Sequence, residues 1–532
     1  MNYKASLFFI FGMLLLLSSC SETPNGKTNI FHYNQSSGIS SLDPAFSRDQ
    51  ATIWACNQLY NGLVQLDSNL NVQPCIAKTW ETSPDGKTFT FHLRTDVVFH
   101  QNSCFSNRSR KVTASDFVYS FERLINKQTA SPGAWIFNGR IDTVQPFEAI
   151  NDSTFILRLK QPFPPILGIL TMTYCSVVPK EAVEKYGTDF RSHPVGTGPF
   201  QFKVWKEGIA LILTRNPMYF EFENGARLPL LDGVRVSFIN NKKTEFLTFR
   251  SGQIDFISGI DASFIDEVLT DQGTLKPELT QQYNLQKAPY LNTEYLGFNL
   301  QTMAVWQNKK LRQAVNYAFD RQELIRYLRN GVGSPAEQGF CPRGLPNFDS
   351  HFVGFHYDPI KAQQLLAEAG YPNGKGLPVL KLYTNETYKE IGLFVARQLE
   401  RSGIHVNLEI AQGAILREWM SQGKAPFFRG SWIADYPDAE SYFTVFYGKN
   451  DAPPNYTRFK NATYDSLYEA ALLTNDAAAR FKIYQRLEEI LIEEAPVVPL
   501  YYDEVLRFTS KRVHHLTPNG LNLLDLKRTT LN

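Results

Sequence analysis

Two charged residues, Arg429 and Asp435, lie in a segment otherwise dominated by aromatic and small side chains, RGSWIADYPDAESYF at 429–443. Six positions separate them, an even number, so an extended chain would point both side chains to one face. Such a chain spans about 20 Å, and the inward lean of two side chains could leave the charged tips roughly 10 Å apart. A carboxylate can hold an ammonium group, and a guanidinium can hold a carboxylate. The spacing therefore indicates a site for a short zwitterion, with a strand-end ion pair or two solvated charges as alternatives.

No sequence pattern argues for catalysis or for metal binding. Gly86-Lys87-Thr88 resembles the end of a phosphate loop, but Glu81 stands where the earlier glycine is required. The nine histidines are scattered, and the chain contains no HExxH, no GxSxG nucleophile elbow and no CxxC. Nothing here argues positively for catalysis, so we do not expect an enzyme, and we expect no catalytic residue, no cofactor and no metal.

The N-terminus has the pattern of a secretory signal. Lys4 precedes an apolar run from Leu7 to Leu17 that is too short to span a bilayer. The small residues before Cys20 form a lipobox, which resembles that of a bacterial lipoprotein cleaved before Cys20 and acylated on it. We expect residues 1–19 to be a signal peptide and 20–28 a lipidated tether. The alternative is an ordinary signal peptide with a chance cysteine.

Length and composition predict a large protein with more than one lobe. At 532 residues the chain exceeds one ordinary core. Its 54 Lys and Arg nearly balance 52 Asp and Glu, so nothing suggests nucleic acid as a partner. With Cys20 lipidated, five cysteines remain, and at least one is unpaired within the chain. Disulfides are permitted outside the cytoplasm, and Cys56 and Cys75 are the closest pair, but spacing favours no single connectivity.

Helical and strand-like segments mix along the chain, which predicts the α/β class. Two strands are expected in Trp80–Arg94 around a Pro84-Asp85-Gly86 turn, and a helix in Thr113–Asn126, opened by a capping box. Further helices and strands are predicted from capping residues and apolar runs: helices from Asp358-Pro359 and over Asn475–Glu494, and strands at Ala210–Thr214, Val234–Ile239, Val379–Tyr383, Val406–Ile410 and Val497–Tyr502.

Eight motifs follow one another in an order shared with a known family. They are LDPA at 42–45, LYNGL at 59–63, AKTW at 77–80 with SPDGKTFTFHLR at 83–94, VTASDFVYSFERL at 112–124, PVGTGPFQFKVWKEG at 194–208 with RNP at 215–217, LLAEAGYP at 365–372, SWIADYPDAESYF at 431–443, and APVVPLYYDEV at 495–505. Together they resemble the extracellular solute-binding protein family 5, the dipeptide and oligopeptide receptors of ABC importers. The resemblance covers nearly the whole mature chain.

The resemblance implies an α/β, two-lobed clamp of the periplasmic-binding-protein class, type II-like, with an extra domain in the first lobe. Lobe I would comprise residues 29–60, 186–289 and 503–532, with residues 61–185 as its extra domain. Lobe II would comprise residues 290–502. The hinges are expected near Tyr290–Phe298 and Leu500–Asp503.

The resemblance also implies roles for the charged pair. In peptide-binding relatives the Asp of a W-x-x-D motif binds the ligand's α-amino group, a role that falls on Asp435 after Trp432. An Arg six residues earlier binds the C-terminal carboxylate in tripeptide-type relatives, and here that residue is Arg429. The peptide would lie extended as an added strand, with its side chains in roomy, hydrated pockets. Flanking groups would be the backbone of Ser431, Trp432, Ile433 and Ala434, the loop Phe46–Gln50, and Trp135 of the extra domain.

Two departures from the family pattern are visible. Ala439 replaces the Pro that commonly follows YPD, and the loop after the FHLR strand is expanded to FHQNSCFSNRSRKV at 99–112. This expansion adds Arg108, Arg110 and Lys111, which we expect to form a solvated excursion rather than a site.

The combined expectation is a lipid-anchored, extracytoplasmic substrate-binding component of a bacterial ABC transporter, in the periplasm or on the outer cell surface. It would capture short peptides and deliver them to a permease with a cytoplasmic ATPase. We expect a monomer that touches the membrane only through its lipid. The alternatives are a same-fold receptor for an oligosaccharide or a metal chelate, and a peptide-binding chaperone or sensor without import. A secreted hydrolase would require a nucleophile or metal constellation, and the sequence shows none.

Overall fold

The computed structural model describes residues 29–345 and 348–532. The predicted signal peptide at 1–19, the tether at 20–28 and the acylated Cys20 lie outside the described residues. Within those two ranges no helix is long and apolar enough to cross a membrane.

The described residues form a mixed α/β structure. The strands are β1 Ile30–Asn34, β2 Val64–Leu66, β3 Val72–Pro74, β4 Ala77–Thr82, β5 Thr88–Leu93, β6 Phe147–Asn151, β7 Thr154–Arg158, β8 Phe200–Lys206, β9 Ala210–Arg215, β10 Phe222–Glu223, β11 Ala226–Arg227, β12 Gly233–Ser237, β13 Phe256–Ser258, β14 Tyr283–Phe298, β15 Ser334–Pro335, β16 Leu380–Thr384, β17 Val406–Ile410, β18 Phe427–Ile433, β19 Val497–Ser510, β20 Val513–His514 and β21 Thr530–Leu531.

The helices lie between these strands. They are α1 Gln50–Leu59, α2 Ala114–Ile125, α3 Ile166–Ile169, α4 Lys180–Tyr186, α5 Lys242–Arg250, α6 Ile265–Val268, α7 Lys309–Tyr317, α8 Arg321–Leu328, α9 Pro359–Glu368, α10 Lys389–Glu400, α11 Gly413–Ser421, α12 Glu440–Phe443, α13 Ala462–Leu473 and α14 Ala477–Glu494.

One large sheet runs through the molecule in the order β17-β16-β18-β14-β19-β13-β1-β12-β9-β8, with β15 beside β19. The long strands β14 and β19 are antiparallel neighbours at its middle, and their register shifts between Pro289 and Thr293. Strands β13, β1, β12, β9 and β8 lie on one side of this pair, and β18, β16 and β17 lie on the other. The predicted hinges fall on these two central strands, and their action as hinges stays a prediction.

Apolar side chains cover both faces of the β18 half of the sheet. Successive residues of a strand point to opposite faces. Phe427 accordingly packs against Phe298, with ring centroids 5.3 Å apart, whereas Phe428 packs against Tyr295, with ring centroids 6.3 Å apart. Each contact belongs to a separate apolar core. The first residues of β18 are therefore packed on both faces, and this packing sets which way the side chains of the following residues point.

A second, four-stranded antiparallel sheet lies in the range predicted for the extra domain, in the order β4-β5-β7-β6. The hairpin predicted around Pro84-Asp85-Gly86 is confirmed, and Gly86 has the positive φ of 68° that the turn requires. The helix predicted from Thr113 is also confirmed as α2, and the backbone N–H of Thr113 donates to the Asp116 carboxylate at 2.8 Å. The domain boundaries themselves stay predictions.

Strand β19 continues well beyond the predicted end at Tyr502 and reaches Ser510. Polar residues interrupt the apolar pattern after Tyr502, but distant partners pair with them or hydrogen-bond them. Glu504 pairs with Lys287 at 2.7 Å, and the buried Arg507 donates to the Asn522 side chain at 2.9 Å. A central strand can carry such residues because charged groups are tolerated inside a protein when they are paired or hydrogen-bonded.

The expanded loop at 99–112 differs in part from expectation. Arg108 and Lys111 are exposed, but Arg110 pairs with Asp116 at 2.7 Å and with Glu181 at 2.6 Å. Its guanidinium also lies 5.0 Å from the centroid of the Phe99 ring. Arg110 therefore ties the loop to α2 and α4, because two carboxylates brought near by the tertiary fold satisfy its donors.

The five cysteines of the described part of the chain are all free thiols. Three are buried and two are partly buried: Cys56, Cys75, Cys175, Cys104 and Cys341. The pair closest in sequence, Cys56 and Cys75, forms no disulfide.

Candidate ligand-binding cleft

The candidate site begins at the outer end of β18. This strand pairs along its length with β14, from Phe427 opposite Phe298 to Ile433 opposite Asn292. On its other edge, β16 pairs with it at Phe428 only. No strand of the described ranges lies beside the backbone that follows on that edge, up to Ile433. An open strand edge is a template for an added strand.

One face of β18 passes from the core to the surface. Alternation places Phe427, Arg429, Ser431 and Ile433 on this face. Phe427 is fully buried, Arg429 is 8% exposed, Ser431 is exposed and Ile433 is 46% exposed. Trp432 points to the opposite face, where its indole N–H donates to the carbonyl of Ser441 at 2.6 Å. The hydrogen bond from Trp432 fixes the turn that follows the strand.

Asp435 lies just beyond the strand, which ends at Ile433 rather than continuing extended to residue 435 as the spacing argument assumed. The backbone N–H of Ala434 still donates to Leu291 at 2.9 Å, and the chain bends at Asp435. Asp435 is exposed, yet the surrounding protein removes enough water to raise its pKa to about 6, and the nearby Glu440 carboxylate adds to the rise. Within the described chain no cation forms an ion pair with Asp435.

Residues from the first half of the chain lie close to Asp435. Burial and, to a smaller extent, the negative charge of Asp435 raise the pKa of Tyr174 to about 12, and Arg48 partly opposes this rise. Arg48 belongs to the predicted flanking loop Phe46–Gln50, and it is exposed. The loop is held by Asp43, which accepts from Arg123 at 2.9 Å, and by Asp49, which caps α1 through Thr52.

Trp135, in the range predicted for the extra domain, contacts the range predicted for lobe II next to Asp435. Its ring stacks on Tyr436, with centroids 6.5 Å apart and planes 27° from parallel. The Arg140 guanidinium lies 5.7 Å from the Trp135 ring centroid and also donates to the Trp135 carbonyl at 2.7 Å. Contacts between the two lobes therefore exist next to the candidate amino-binding carboxylate.

The acidic residues that follow Asp435 in the motif accept hydrogen bonds from side chains inside the range predicted for lobe II. Glu440 is buried and accepts from the hydroxyls of Tyr436 and Tyr468. Burial raises the pKa of Glu440, and those two hydrogen bonds partly offset the rise. Asp438 accepts from the Tyr484 hydroxyl at 2.9 Å. Only Asp435, among the three acids of this motif, presents an exposed carboxylate.

Arg429 lies in a different environment from Asp435. Its guanidinium forms an ion pair with Glu294 of β14, and its Cζ lies 3.1 Å from the centroid of the Tyr388 ring. Its Nε has no hydrogen-bond partner among the residues that the structure describes. The sequence predicts a ligand carboxylate as the partner of Arg429, and a carboxylate of the chain itself is present there. Sequence reasoning missed Glu294 because it lies 135 positions away.

A cavity of about 540 Å³ lies apart from these residues. Its lining comes from the ranges 57–75, 171–176 and 515–528 together with Pro199 and Tyr219. It contains neither Asp435 nor Arg429, and Lys527 in its wall is already paired with Glu221 at 2.7 Å. Across residues 29–345 and 348–532, no group of His, Cys, Asp and Glu side chains is arranged to hold a metal ion.

The shared sheet, the two packed halves and the exposed carboxylate between them define a two-lobed solute-binding clamp. The profile of the family described as "Bacterial extracellular solute-binding proteins, family 5 Middle" matches residues 71–454. The chain belongs to this family of extracytoplasmic solute-binding proteins of ABC importers, and it is not an enzyme. The predicted family and the predicted two-lobed α/β fold are confirmed.

Relatives of known name cover nearly the whole chain. The glutathione-binding protein GsiB of Salmonella choleraesuis (strain SC-B67) is 28% identical over 490 residues, 90% of each chain. Heme-binding protein A of Haemophilus influenzae is 28% identical over 513 residues, which cover 93% of this chain and 90% of the relative. Among solved structures, DppA of Helicobacter pylori in complex with the peptide STSA is 26% identical with a TM-score of 0.76, covering 95% of this chain and 98% of that one.

Proposed function

We propose that this protein captures short peptides outside the cytoplasm and delivers them to an ABC permease, while a lipid on Cys20 holds it at the membrane. The observation that carries the peptide assignment is Asp435, an exposed carboxylate between the two lobes that forms no ion pair with any cation of the residues that the structure describes. A buried peptide ammonium needs such a charged partner, since burying an isolated charge is costly.

The backbone beside Asp435 supports an extended ligand. The unpaired edge of β18 offers N–H and C=O groups from Ser431 to Ile433, and a peptide can pair with it as an added strand. Ala434 follows with the last bond to β14, and Trp135 would close over the ligand from the extra domain. The H. pylori relative that holds the peptide STSA has the same fold, which also supports a peptide ligand.

Ligand identification is the first experiment. The fragment 21–532 would be purified, and ligands released from it by denaturation would be identified by mass spectrometry. Calorimetric titration of the stripped protein would follow, with trialanine, N-acetyl-trialanine, reduced glutathione and haem. We expect co-purified short peptides, binding of trialanine, and much weaker binding of the acetylated form.

Glutathione and haem enter this panel because relatives carry those names. Glutathione or haem bound while every peptide fails would overturn the peptide proposal and leave a family 5 receptor for another solute. Equal affinity for trialanine and its acetylated form would remove Asp435 as the amino anchor.

The anchor is tested separately. Cys20→Ala should release the protein from membranes without changing peptide affinity, because the acyl group lies outside the folded lobes. Cell fractionation measures the release, with Cys104→Ala as a matched control that keeps the lipobox. A Cys20→Ala protein that stays in the membrane pellet after high-salt washing would contradict the lipoprotein assignment.

A further inference from the structure

The ion pair between Arg429 and Glu294 is built into the sheet. Glu294 of β14 lies directly opposite Ser431 of β18, so their side chains share a face. Arg429 lies two residues from Ser431 on that face, within the diagonal reach of a long side chain. The geometry of two adjacent strands therefore brings the carboxylate to the guanidinium, and no ligand is needed to compensate Arg429.

Burial makes this pair strong and persistent. Arg429 is 8% exposed and Glu294 is 2% exposed. Tyr388 covers the guanidinium from one side, and Asn292 donates to the second Glu294 oxygen at 3.0 Å. A separation of this pair would leave two charges in a poorly hydrated environment, which is far more costly than breaking an exposed pair.

The neighbouring charged residues do not change the net charge around Arg429 and Glu294. Arg329 and Asp503 are the other charged groups whose influence reaches Glu294, and they pair with each other. Two cations and two anions therefore form a neutral cluster behind the outer end of β18. A ligand carboxylate that approached Arg429 would be attracted by the guanidinium and repelled by Glu294 at a similar distance.

We propose that Glu294 is a specificity-determining residue of the cleft: by neutralising Arg429 it removes the preference for a ligand carboxylate at that position. The inference rests on the proposed peptide function and deepens it. The cleft then selects for an ammonium group at Asp435, while the far end of the ligand is uncharged or extends past Arg429. Asp435 determines the direction in which the peptide lies. Glu294 neutralises Arg429, which would otherwise select peptides of the length that brings their carboxylate to it.

The test compares peptide acids with peptide amides. Dialanine, trialanine and tetraalanine would be titrated calorimetrically, each as the free acid and as the C-terminal amide. Wild type should bind acid and amide within about threefold at each length. In Glu294→Gln the freed guanidinium should favour the acid by about 10- to 100-fold at the length whose carboxylate reaches it.

Two further variants make the result decisive. Glu504→Gln makes the same change on β19 in a carboxylate paired with Lys287, and it should leave the acid-to-amide ratio unchanged. The double variant Glu294→Gln/Arg429→Met removes the pair without leaving a buried charge, so it should fold even where Glu294→Gln does not. Its acid-to-amide ratio should equal that of wild type.

The outcomes separate this inference from the function on which it rests. A wild-type preference for the acid of about tenfold or more, lost in the double variant, would mean that Arg429 binds the ligand carboxylate despite Glu294. A folded Glu294→Gln protein with an unchanged ratio at every length would also overturn the inference, with peptide binding intact. Failure of every peptide to bind wild type would instead overturn the proposed function and this inference together.

Discussion

Arg429 and Asp435, at the two ends of one short segment, differ in the residues that surround their charged groups. Asp435, past the end of β18, is exposed and forms no ion pair within the described part of the chain, and loss of water raises its pKa to about 6. Arg429, six residues earlier, is buried and paired with Glu294. The sequence presents them as equivalent halves of a zwitterion site. The structure leaves one charge available to a ligand and compensates the other within the chain.

The spacing of charged residues in a sequence is therefore a weak guide to which of them is available to a ligand. A charged group can serve a ligand when its desolvation is completed by that ligand rather than by the protein. Asp435 meets this condition because Glu440 and Tyr174 beside it supply no positive charge, and Arg48, whose charge acts on Tyr174, forms no ion pair with Asp435. Substitutions at Asp435 and Arg429 test this difference.

The largest expected effect is that of Asp435→Asn on peptide affinity. The variant keeps the shape but leaves the bound ammonium uncompensated, which typically costs about 2–5 kcal/mol, or roughly 30-fold to several thousand-fold in affinity. N-acetylated peptides should bind wild type poorly and lose little more on substitution. Calorimetric titration with free and acetylated trialanine measures both, and undiminished binding of the free peptide to Asp435→Asn would contradict the amino-anchor assignment.

Stability should show the opposite contrast. Arg429→Met leaves Glu294 buried without its cation and should lower the free energy of unfolding by about 3 kcal/mol. Asp435→Asn should not lower it, because the folded protein disfavours the charged carboxylate at that position. Urea denaturation at pH 7.5 measures both variants, with Glu294→Gln/Arg429→Met as the control that should regain most of the loss. Equal stability of Arg429→Met and wild type would show that the pair is not buried as described.

The pH dependence of binding should follow Asp435. The ammonium binds the ionised carboxylate, and the pKa of Asp435 in the free protein is about 6. Affinity for trialanine should therefore fall by about tenfold between pH 7 and pH 5, whereas well above pH 7 the α-amino group of the peptide, with a pKa of about 8, itself loses the proton that Asp435 binds. Titrations across this range in Asp435→Asn should be flat.

Glu488 is a buried carboxylate whose pKa lies close to that of Asp435, and it provides the control. Burial raises the pKa of Glu488 on α14 to about 7, although the backbone N–H groups of Phe340 and Cys341 oppose the rise. In Glu488→Gln the affinity for trialanine should still fall at low pH. A loss that persists in Asp435→Asn but vanishes in Glu488→Gln would assign the pH dependence to Glu488.

The smallest expected effect is that of Trp135→Ala. Its stacking on Tyr436 joins the lobes without touching either charge, and aromatic pairs contribute about 0.5–1.5 kcal/mol beyond area burial. Peptide affinity should fall by about 2- to 10-fold, equally for free and acetylated peptides, since the closed state is weakened rather than the amino anchor. The contrasting substitution Trp205→Ala, away from Tyr436, should leave affinity unchanged. A selective loss for free peptides in Trp135→Ala would place Trp135 at the amino group instead.

Much of the local structure could be predicted from the sequence because its causes are local. Thr113 and Asp116 cap a helix through bonds three residues apart, and Gly86 permits a hairpin turn by its own backbone freedom. Prediction failed where long-range partners decide. The sequence predicts too early an end for β19 because its later polar residues are paired or hydrogen-bonded by distant residues, and it predicts Arg110 in solvent although Glu181 lies within its reach.

The sequence alone is enough to predict the family and the α/β class. It also shows one carboxylate and one cation on the segment that lies at the candidate cleft. Motif order and apolar periodicity carry that information along the chain. Only the tertiary structure decided which charge meets a partner. Glu294 reaches Arg429 through the pairing of β14 with β18, whereas no cation among residues 29–345 and 348–532 forms an ion pair with Asp435. The physical reason is that desolvation and compensation of a charge depend on neighbours in space, which local spacing does not encode.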